Sequence, residues 1–380
     1  MSKIYLLTII ETLGRGGAEQ VLVNTLPELQ KLGVVCEVAI LFDRDDLAGA
    51  LEREGVVVHR LGLSYKWNIV EGIYKLNKLI RMNRYDIVHA HLFFAYFYAG
   101  IVKVLNPEVK TLTTFHNLGY NTYPADAMIK KLRKRLDAFV VNNLIDNRVA
   151  VSGAVQEHFK KELDVLQVDL MPNSFPLERM SQTEDLDKNK VLSTYVDLQK
   201  YHSFSITPGR LVKEKGHSFL LKALARLDMK SMKHCHFIVG AGPLEKKIKE
   251  QITKEKLHNV VLISGLPQQE LFKLISACDF VVIPSIFEGF GMIIGESMAL
   301  EKTVIASNIS GIPDLIENEK EGLLVPARDS EALAEAIKRL YENEALRSTL
   351  AINAKEKIKR FDTKIIAKQW IEYYEDMLNG

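Results

Sequence analysis

Residues 280–299 constrain the fold more than any other stretch of the chain. Phe280, Val281, Val282 and Ile283 form an apolar, β-branched run of buried-strand length. Pro284 breaks the run, Gly289 and Gly291 follow, and a short apolar pattern of helical type resumes from Met292 to Ala299. Strand, glycine loop and helix in that order make up the unit of a parallel α/β sheet, where ligands collect between strand C-termini and helix N-termini. Glycines keep side chains out of such a loop, so an anionic phosphate is expected on the backbone N–H groups from Gly291 to Ile293. Glu288 precedes that point, and Glu296 follows Gly291 by about 7.5 Å of helix. Neither carboxylate suits the phosphate, and both suit neutral hydroxyls on either side of it. The plainer alternative leaves Glu288 in solvent and Glu296 on the outer face of a surface helix.

A chain of 380 residues that is 47% hydrophobic can fill two cores, so two domains are expected. Fifty Lys and Arg balance 48 Asp and Glu, which leaves no overall field for nucleic acid. Cys36, Cys235 and Cys278 are far apart and form no CxxC pair, which argues against disulfides and zinc knuckles and for a reducing, cytoplasmic compartment. The run Ile4–Ile10 reads as a first strand and not as a signal peptide, and no window reaches the roughly 20 apolar residues of a membrane span.

The first half repeats a strand–helix rhythm. The first strand leads through Gly14, Gly16 and Gly17 into a helix whose apolar face is Val21, Leu22, Leu26 and Leu29. This loop lacks the Lys-Ser/Thr of a P-loop and the spacing of a dinucleotide fingerprint, and a tight turn explains it equally well. Strands follow at 37–42 and 56–61, with a helix near 69–82. His89 and His91 share one face of the next strand, but no carboxylate or cysteine nearby in sequence completes a metal shell. Another strand ends at His116. From Met128 the chain reads as a basic amphipathic helix, with Lys130, Lys131, Arg133, Lys134 and Arg135 among Met128, Ile129, Leu132 and Leu136. Such a helix either lies on an anionic bilayer surface or packs on its domain through the apolar residues. Without interleaved aromatics it does not suit nucleic acid. Ser152 is placed to cap a helix from 154 to 163.

The polar, weakly periodic stretch 175–190 reads as the start of a linker. A second strand–helix series opens at Phe204. Arg210 and Lys215 lie between its first strand and first helix, where a diphosphate would meet Arg as a fork and Lys as a point charge, with Lys213 a substitute for Lys215. An ordinary surface loop is the alternative. Gly240-Ala241-Gly242-Pro243 follows the strand 236–239, and Ile365, Ile366, Trp370, Tyr373 and Met377 form a helical stripe of core type near the C-terminus.

Glu288 and Glu296 around Gly289-Phe290-Gly291 resemble the signature of the retaining GT-B glycosyltransferases of family 4. So do Gly16-Gly17-Ala18-Glu19, Gly209-Arg210-Leu211 with Lys215-Gly216, Gly240 to Pro243, 260–266 and 322–326, in the family's order along essentially the whole chain. The resemblance implies an α/β fold of two Rossmann-like, doubly wound domains facing an interdomain cleft. Residues 1–175, joined by a C-terminal helix at 361–380, would bind the acceptor; 176–200 would be the linker; 201–360 would bind a nucleotide-diphosphate sugar, with a UDP-sugar expected. It implies a diphosphate clamp of Arg210 and Lys215, Glu288 on the sugar, His116 at the sugar's outer hydroxyl and Glu296 on the ribose. Gly16, Gly17, Gly242, Leu266, Phe290, Gly291, Met292 and Ile293 would complete the donor contacts. It further implies transfer with retention, no metal and no cofactor. The expected acceptor is a lipid-linked saccharide or surface-polysaccharide precursor, and the expected location cytoplasmic, peripheral on the inner membrane face. A nucleotide-sugar epimerase of the same architecture and a noncatalytic nucleotide-sugar-binding subunit are the rival readings.

Overall fold

The computed structural model describes residues 3–64, 68–122, 127–181, 186–228 and 231–380, without the side chains at 121, 122, 127, 129 and 130. The chain divides into two compact units, one of Met1–Pro176 with Phe361–Gly380, the other of Leu177–Arg360. In the first unit, β1 (Tyr5–Ile10), β2 (Val35–Ile40), β3 (Val57–Arg60), β4 (Ile87–His91), β5 (Lys110–Phe115), β6 (Asn147–Ala150) and β7 (Asp169–Leu170) form a parallel sheet of order 3-2-1-4-5-6-7. In the second, β8 (Ser203–Pro208), β9 (His234–Val239), β10 (Val260–Ile263), β11 (Phe280–Ile283), β12 (Thr303–Ser307) and β13 (Gly322–Val325) form a parallel sheet of order 10-9-8-11-12-13.

Both sheets are doubly wound, so each has one place where the strand order reverses, between β1 and β4 and between β8 and β11. The loops leaving neighbouring strands diverge there and open a crevice at the strand C-termini. Strands covered by helices on both faces are apolar without alternation, and all four residues of β11 are buried. Around it pack Leu220, Leu224, Ile238, Ile305 and Ile337. The second core also holds a polar layer. Ser203, Ser205 and Thr207 project from one face of β8 and bond His234 and His236 of β9: Ser205 Oγ lies 2.7 Å from His234 Nε2 and 2.6 Å from His236 Nδ1.

The C-terminal helix Thr363–Asn379 belongs to the first unit, where Ile366, Trp370, Tyr374 and Met377 join Leu6, Leu26, Leu29 and Val38 in one core. Burying such side chains contributes roughly 1.5–3 kcal/mol each. Within the stretch read as a linker, Leu177–Ser181 and Lys188–Ser193 are short helices of the second unit, and Leu198–Lys200 is a 3-10 turn. Their composition is polar because each lies on the surface with only one or a few residues buried, Met180 in the first and Leu192 in the second. Residues 182–185 of that stretch lie outside the described residues.

Candidate active site

The second unit gathers its polar side chains at the β8/β11 crossover. β8 ends at Pro208, and the loop that follows carries Arg210 and a 3-10 turn, Lys213–Lys215. β11 ends at Ile283 and is followed by Ser285 and Glu288. The two loops are pinned together, with Ile286 N–H donating to the Glu214 carbonyl at 2.7 Å. Gly216 makes this approach possible: its φ is +69° and a Cβ there would overlap the Pro284 carbonyl oxygen. As a result Lys215 Nζ lies 2.6 Å from Glu288 Oε2, and the Ser285 hydroxyl donates to the same oxygen at 3.2 Å. Arg210, by contrast, is exposed, and its guanidinium makes no hydrogen bond or ion pair among the described residues.

Beyond Glu288 the chain turns at buried Phe290 and at Gly291, whose φ of +92° starts the helix Met292–Ala299. No acidic residue stands in the first turn of this helix, so no carboxylate of that turn offsets its positive dipole end, which favours an external anion. Glu296, one turn on, is half-buried; burial pushes its carboxyl up to about 8, opposed by the Gln268 amide 3.5 Å away. The turn containing Gly242 is tied to the Arg210 loop by Leu211 N–H to the Ala241 carbonyl at 2.9 Å and Leu244 N–H to the Leu211 carbonyl at 3.0 Å. Leu266 is half-buried in the loop after β10.

In the first unit, Gly16 is the extended N-cap of the helix Gly17–Lys31. Unlike the Met292 helix, this one already has its own anion. The Glu19 carboxylate folds back over Gly16, filling the space a Cβ would take, and accepts from the Thr12 hydroxyl at 3.3 Å. Burial raises the Glu19 carboxyl above its usual value, with its backbone hydrogen bond and Thr12 opposing. Glu11 likewise accepts from Phe94 N–H, at the start of the helix after β4, at 3.0 Å. In the sequence Glu19 stands out only as part of the Gly16-Gly17-Ala18-Glu19 motif and Glu11 not at all, although Glu19 lies three residues after its cap, a capping-box spacing.

His116, just beyond β5, has its Nε2 2.8 Å from His91 Nδ1. Burial lowers His116 to about 4 and His89 to about 3. Among the described residues no group of three or more His, Cys, Asp or Glu is placed to hold a metal ion.

The basic helix spans Ala127–Asn143, and four of its apolar residues, Met128, Leu132, Leu136 and Phe139, face outward. Met128 is 79% exposed, Leu132 61%, Leu136 40% and Phe139 58%, while Asp137, Val140 and Val141 face the domain. The helix therefore does not pack through Met128, Leu132 and Leu136. Two of its cations are engaged internally: Arg133 lies 3.9 Å over the Phe93 ring and 3.9 Å from Asp137, and Lys134 pairs with Glu162 at 2.8 Å. Lys131 and Arg135 are exposed beside the apolar stripe. The side chain of Lys130 lies outside the described residues. No helix among the described residues is long and apolar enough to cross a membrane.

Two parallel-sheet Rossmann-like domains of this kind make up the GT-B fold, and solved glycosyltransferases of that fold match nearly the whole chain. The crystal structure of Anabaena HepE in complex with UDP-glucose matches with a TM-score of 0.83 at 21% identity, covering 98% of this chain and 100% of HepE. The profile of the family described as "Glycosyl transferases group 1" matches residues 197–357, and that of "Glycosyltransferase Family 4" matches 15–179. The chain thus belongs to the group 1 glycosyltransferases. An uncharacterized glycosyltransferase of Methanocaldococcus jannaschii is 26% identical over 343 residues, 86% of each chain. The N-acetylgalactosamine-N,N'-diacetylbacillosaminyl-diphospho-undecaprenol 4-alpha-N-acetylgalactosaminyltransferase of Campylobacter jejuni is 29% identical over 208 residues, 54% of this chain and 53% of that enzyme.

Proposed function

We propose that this glycosyltransferase moves a sugar, with retention of anomeric configuration and without a metal, from a UDP-sugar to a hydroxyl of a lipid-linked saccharide or surface-polysaccharide precursor. The observation that carries the reading is the grouping of Lys215, Glu288 and the anion-free start of the Met292 helix at one strand crossover. In the reaction the bond from the anomeric carbon to the diphosphate oxygen breaks and a bond to the acceptor oxygen forms. The departing diphosphate takes the acceptor's proton. Negative charge grows on that diphosphate, and Arg210, Lys215 and the N–H groups after Gly291 are the donors that take up such charge, worth most where water is excluded. Glu288 accepts from hydroxyls of the sugar, His116 meets its outer hydroxyl and Glu296 accepts from the ribose. The UDP-glucose held by HepE supports the donor class, and the diphospho-undecaprenol acceptor named for the Campylobacter enzyme supports the acceptor class.

The outward stripe Met128, Leu132, Leu136 and Phe139, flanked by Lys131 and Arg135, supports an anionic bilayer surface as the enzyme's partner. Apolar side chains enter the acyl boundary while the cations meet lipid phosphates, at about 1 kcal/mol per cation near the surface.

The test is product formation from a panel of UDP-, GDP- and ADP-sugars in the presence of chelator, with lipid extract or a lipid-free sugar mixture as acceptor. Transfer from a UDP-sugar to lipid, undiminished by chelator, is expected; a metal requirement or transfer only to soluble sugars would overturn the corresponding part. Sedimentation with phosphatidylglycerol vesicles, but not with neutral phosphatidylcholine vesicles, is expected for the native chain. It should be lost in the combined Leu132→Ser and Leu136→Ser variant.

A further inference from the structure

His89 and His91 lie on one face of β4, and both side chains are buried. His89 is held at both ring nitrogens, with Nδ1 2.9 Å from the Tyr374 hydroxyl of the C-terminal helix and Nε2 2.7 Å from Thr114 Oγ1. His91 stands against it with ring centroids 4.1 Å apart and commits its own Nδ1 to His116. The remaining nitrogens of this last pair, His91 Nε2 and His116 Nδ1, are buried and have no hydrogen-bond partner among the described residues. Burial keeps His91 well below the ordinary histidine range and His116 at about 4, so both rings are neutral near pH 7.

A neutral imidazole carries one N–H and one bare nitrogen. The 2.8 Å contact therefore holds one proton, and its position decides the character of the far side of His116. If His91 donates, His116 Nε2 is the bare nitrogen, and Nδ1 carries that ring's single N–H and is a donor. If His116 donates from Nε2, its Nδ1 is bare and is an acceptor. Packing alone gains nothing from two buried nitrogens left without partners, each of which is destabilising.

We infer that His91 is a positioning residue that fixes the ring plane and tautomer of His116, so that His116 Nδ1 presents one defined hydrogen-bonding character to a sugar hydroxyl. The inference rests on the reading given above that His116 meets the transferred sugar. The chain behind it runs from Tyr374 through His89 to His91, so the C-terminal helix supports the ring that orients His116.

The test uses the full chain with 15N-imidazole-labelled histidine, its His116 signals assigned by His116→Gln. One pyrrole-type and one pyridine-type nitrogen are expected for His116 from pH 6 to 8, unchanged in His91→Gln, whose amide can replace either role. In His91→Phe the two signals should move toward a common average. In parallel, turnover with the UDP-sugar chosen by the donor panel should fall roughly ten- to a hundredfold in kcat for His91→Phe, with donor KM within about threefold, and recover to within about fivefold in His91→Gln. Unchanged His116 signals in a folded His91→Phe protein would overturn the inference whatever the turnover shows. Full turnover of His116→Ala would instead overturn the role given to His116 and leave the tautomer measurement to decide the positioning.

Discussion

Lys215 and Glu288 stand 73 residues apart in sequence and leave different strands, yet their side chains meet at 2.6 Å with only 19% and 14% of their surfaces exposed. The proposed reaction asks each for something else, the ammonium for the diphosphate and the carboxylate for the sugar. While paired, they neutralise one another and hold the crossover site together without a donor. A diphosphate must therefore compete with Glu288 for Lys215. Replacing Glu288 by Gln should release the ammonium, so UDP alone is expected to bind about three- to tenfold tighter while sugar transfer falls. Lys215→Ala should weaken UDP and lower stability by about 1.5–3 kcal/mol, the usual worth of a hydrogen bond to a charged group. Isothermal titration with UDP and denaturant unfolding of both variants check this. Glu288→Gln with unaltered UDP affinity and full turnover would remove the carboxylate from the mechanism.

Gly216 is the backbone counterpart of that pair. Gly216→Ala forces a methyl group into the Pro284 carbonyl at a φ of +69°, and the strain of the left-handed region adds about 1–3 kcal/mol to the clash. The loops bearing Lys215 and Glu288 must then separate. A loss of stability and of donor binding together is expected, measured by thermal unfolding with and without UDP. Retained UDP stabilisation in the variant would show that the close approach is dispensable.

Acid should unfold the protein earlier than its carboxylates alone would. Burial holds His89 at about 3, and His116, His217 and His234 at about 4, against 6.5 in the unfolded chain. His91 and His236 are likewise held well below the ordinary histidine range by burial and neighbouring histidines. A lowered folded pKa means that the unfolded state takes up the protons. The stability these groups contribute is complete above about pH 6.5 and is lost as pH falls from there toward 4. Glu19, raised by burial, and Asp137 and Glu296, raised to about 6 and 8, act in the opposite direction, but three carboxyls face these six histidines and His158, which burial also lowers. A thermal midpoint level near pH 7 and falling steeply below 6.5 is expected, and one flat down to pH 4 would contradict it.

Strands such as 280–283 were legible because, buried on both faces, they are apolar throughout. What escaped the sequence shares one physical cause, that a side chain's partner lies on another element. Nothing local marks Ser203, Ser205 and Thr207 of β8, and only β9 reveals that they face His234 and His236 inside the core. In the basic helix, cations and apolar residues follow one another through the same turns, so periodicity could not decide which arc faces the domain. The answer depended on Asp137 and Val140 meeting the neighbouring elements. Lys215 and Glu288 were each readable as polar residues beyond a strand, but their contact follows from β8 lying beside β11, which no local pattern encodes.

Glu296 yields the sharpest pH signature for donor binding. Its folded pKa of about 8 lies above the ordinary 4.5, so at pH 7 the donor-free enzyme holds this carboxyl largely protonated. Two ribose hydroxyls donating to it favour the ionised form, and their binding must expel the proton. UDP binding at pH 7 should therefore release up to about one proton and strengthen as pH rises toward 8.5, by at most about tenfold per unit. Titration calorimetry in buffers of different ionisation enthalpy counts that proton, and Glu296→Gln should show neither the release nor the pH slope. The same shift fixes the sign of a stability effect. A raised carboxyl pKa contributes fully below 4.5 and loses its contribution as pH rises through 8, so Glu296→Gln should gain on the native chain across that window and be the more stable protein at pH 8.5. A variant that binds UDP with unchanged pH dependence would separate Glu296 from the ribose, whereas one that loses the slope and gains alkaline stability would tie the helix after Gly291 to nucleotide recognition.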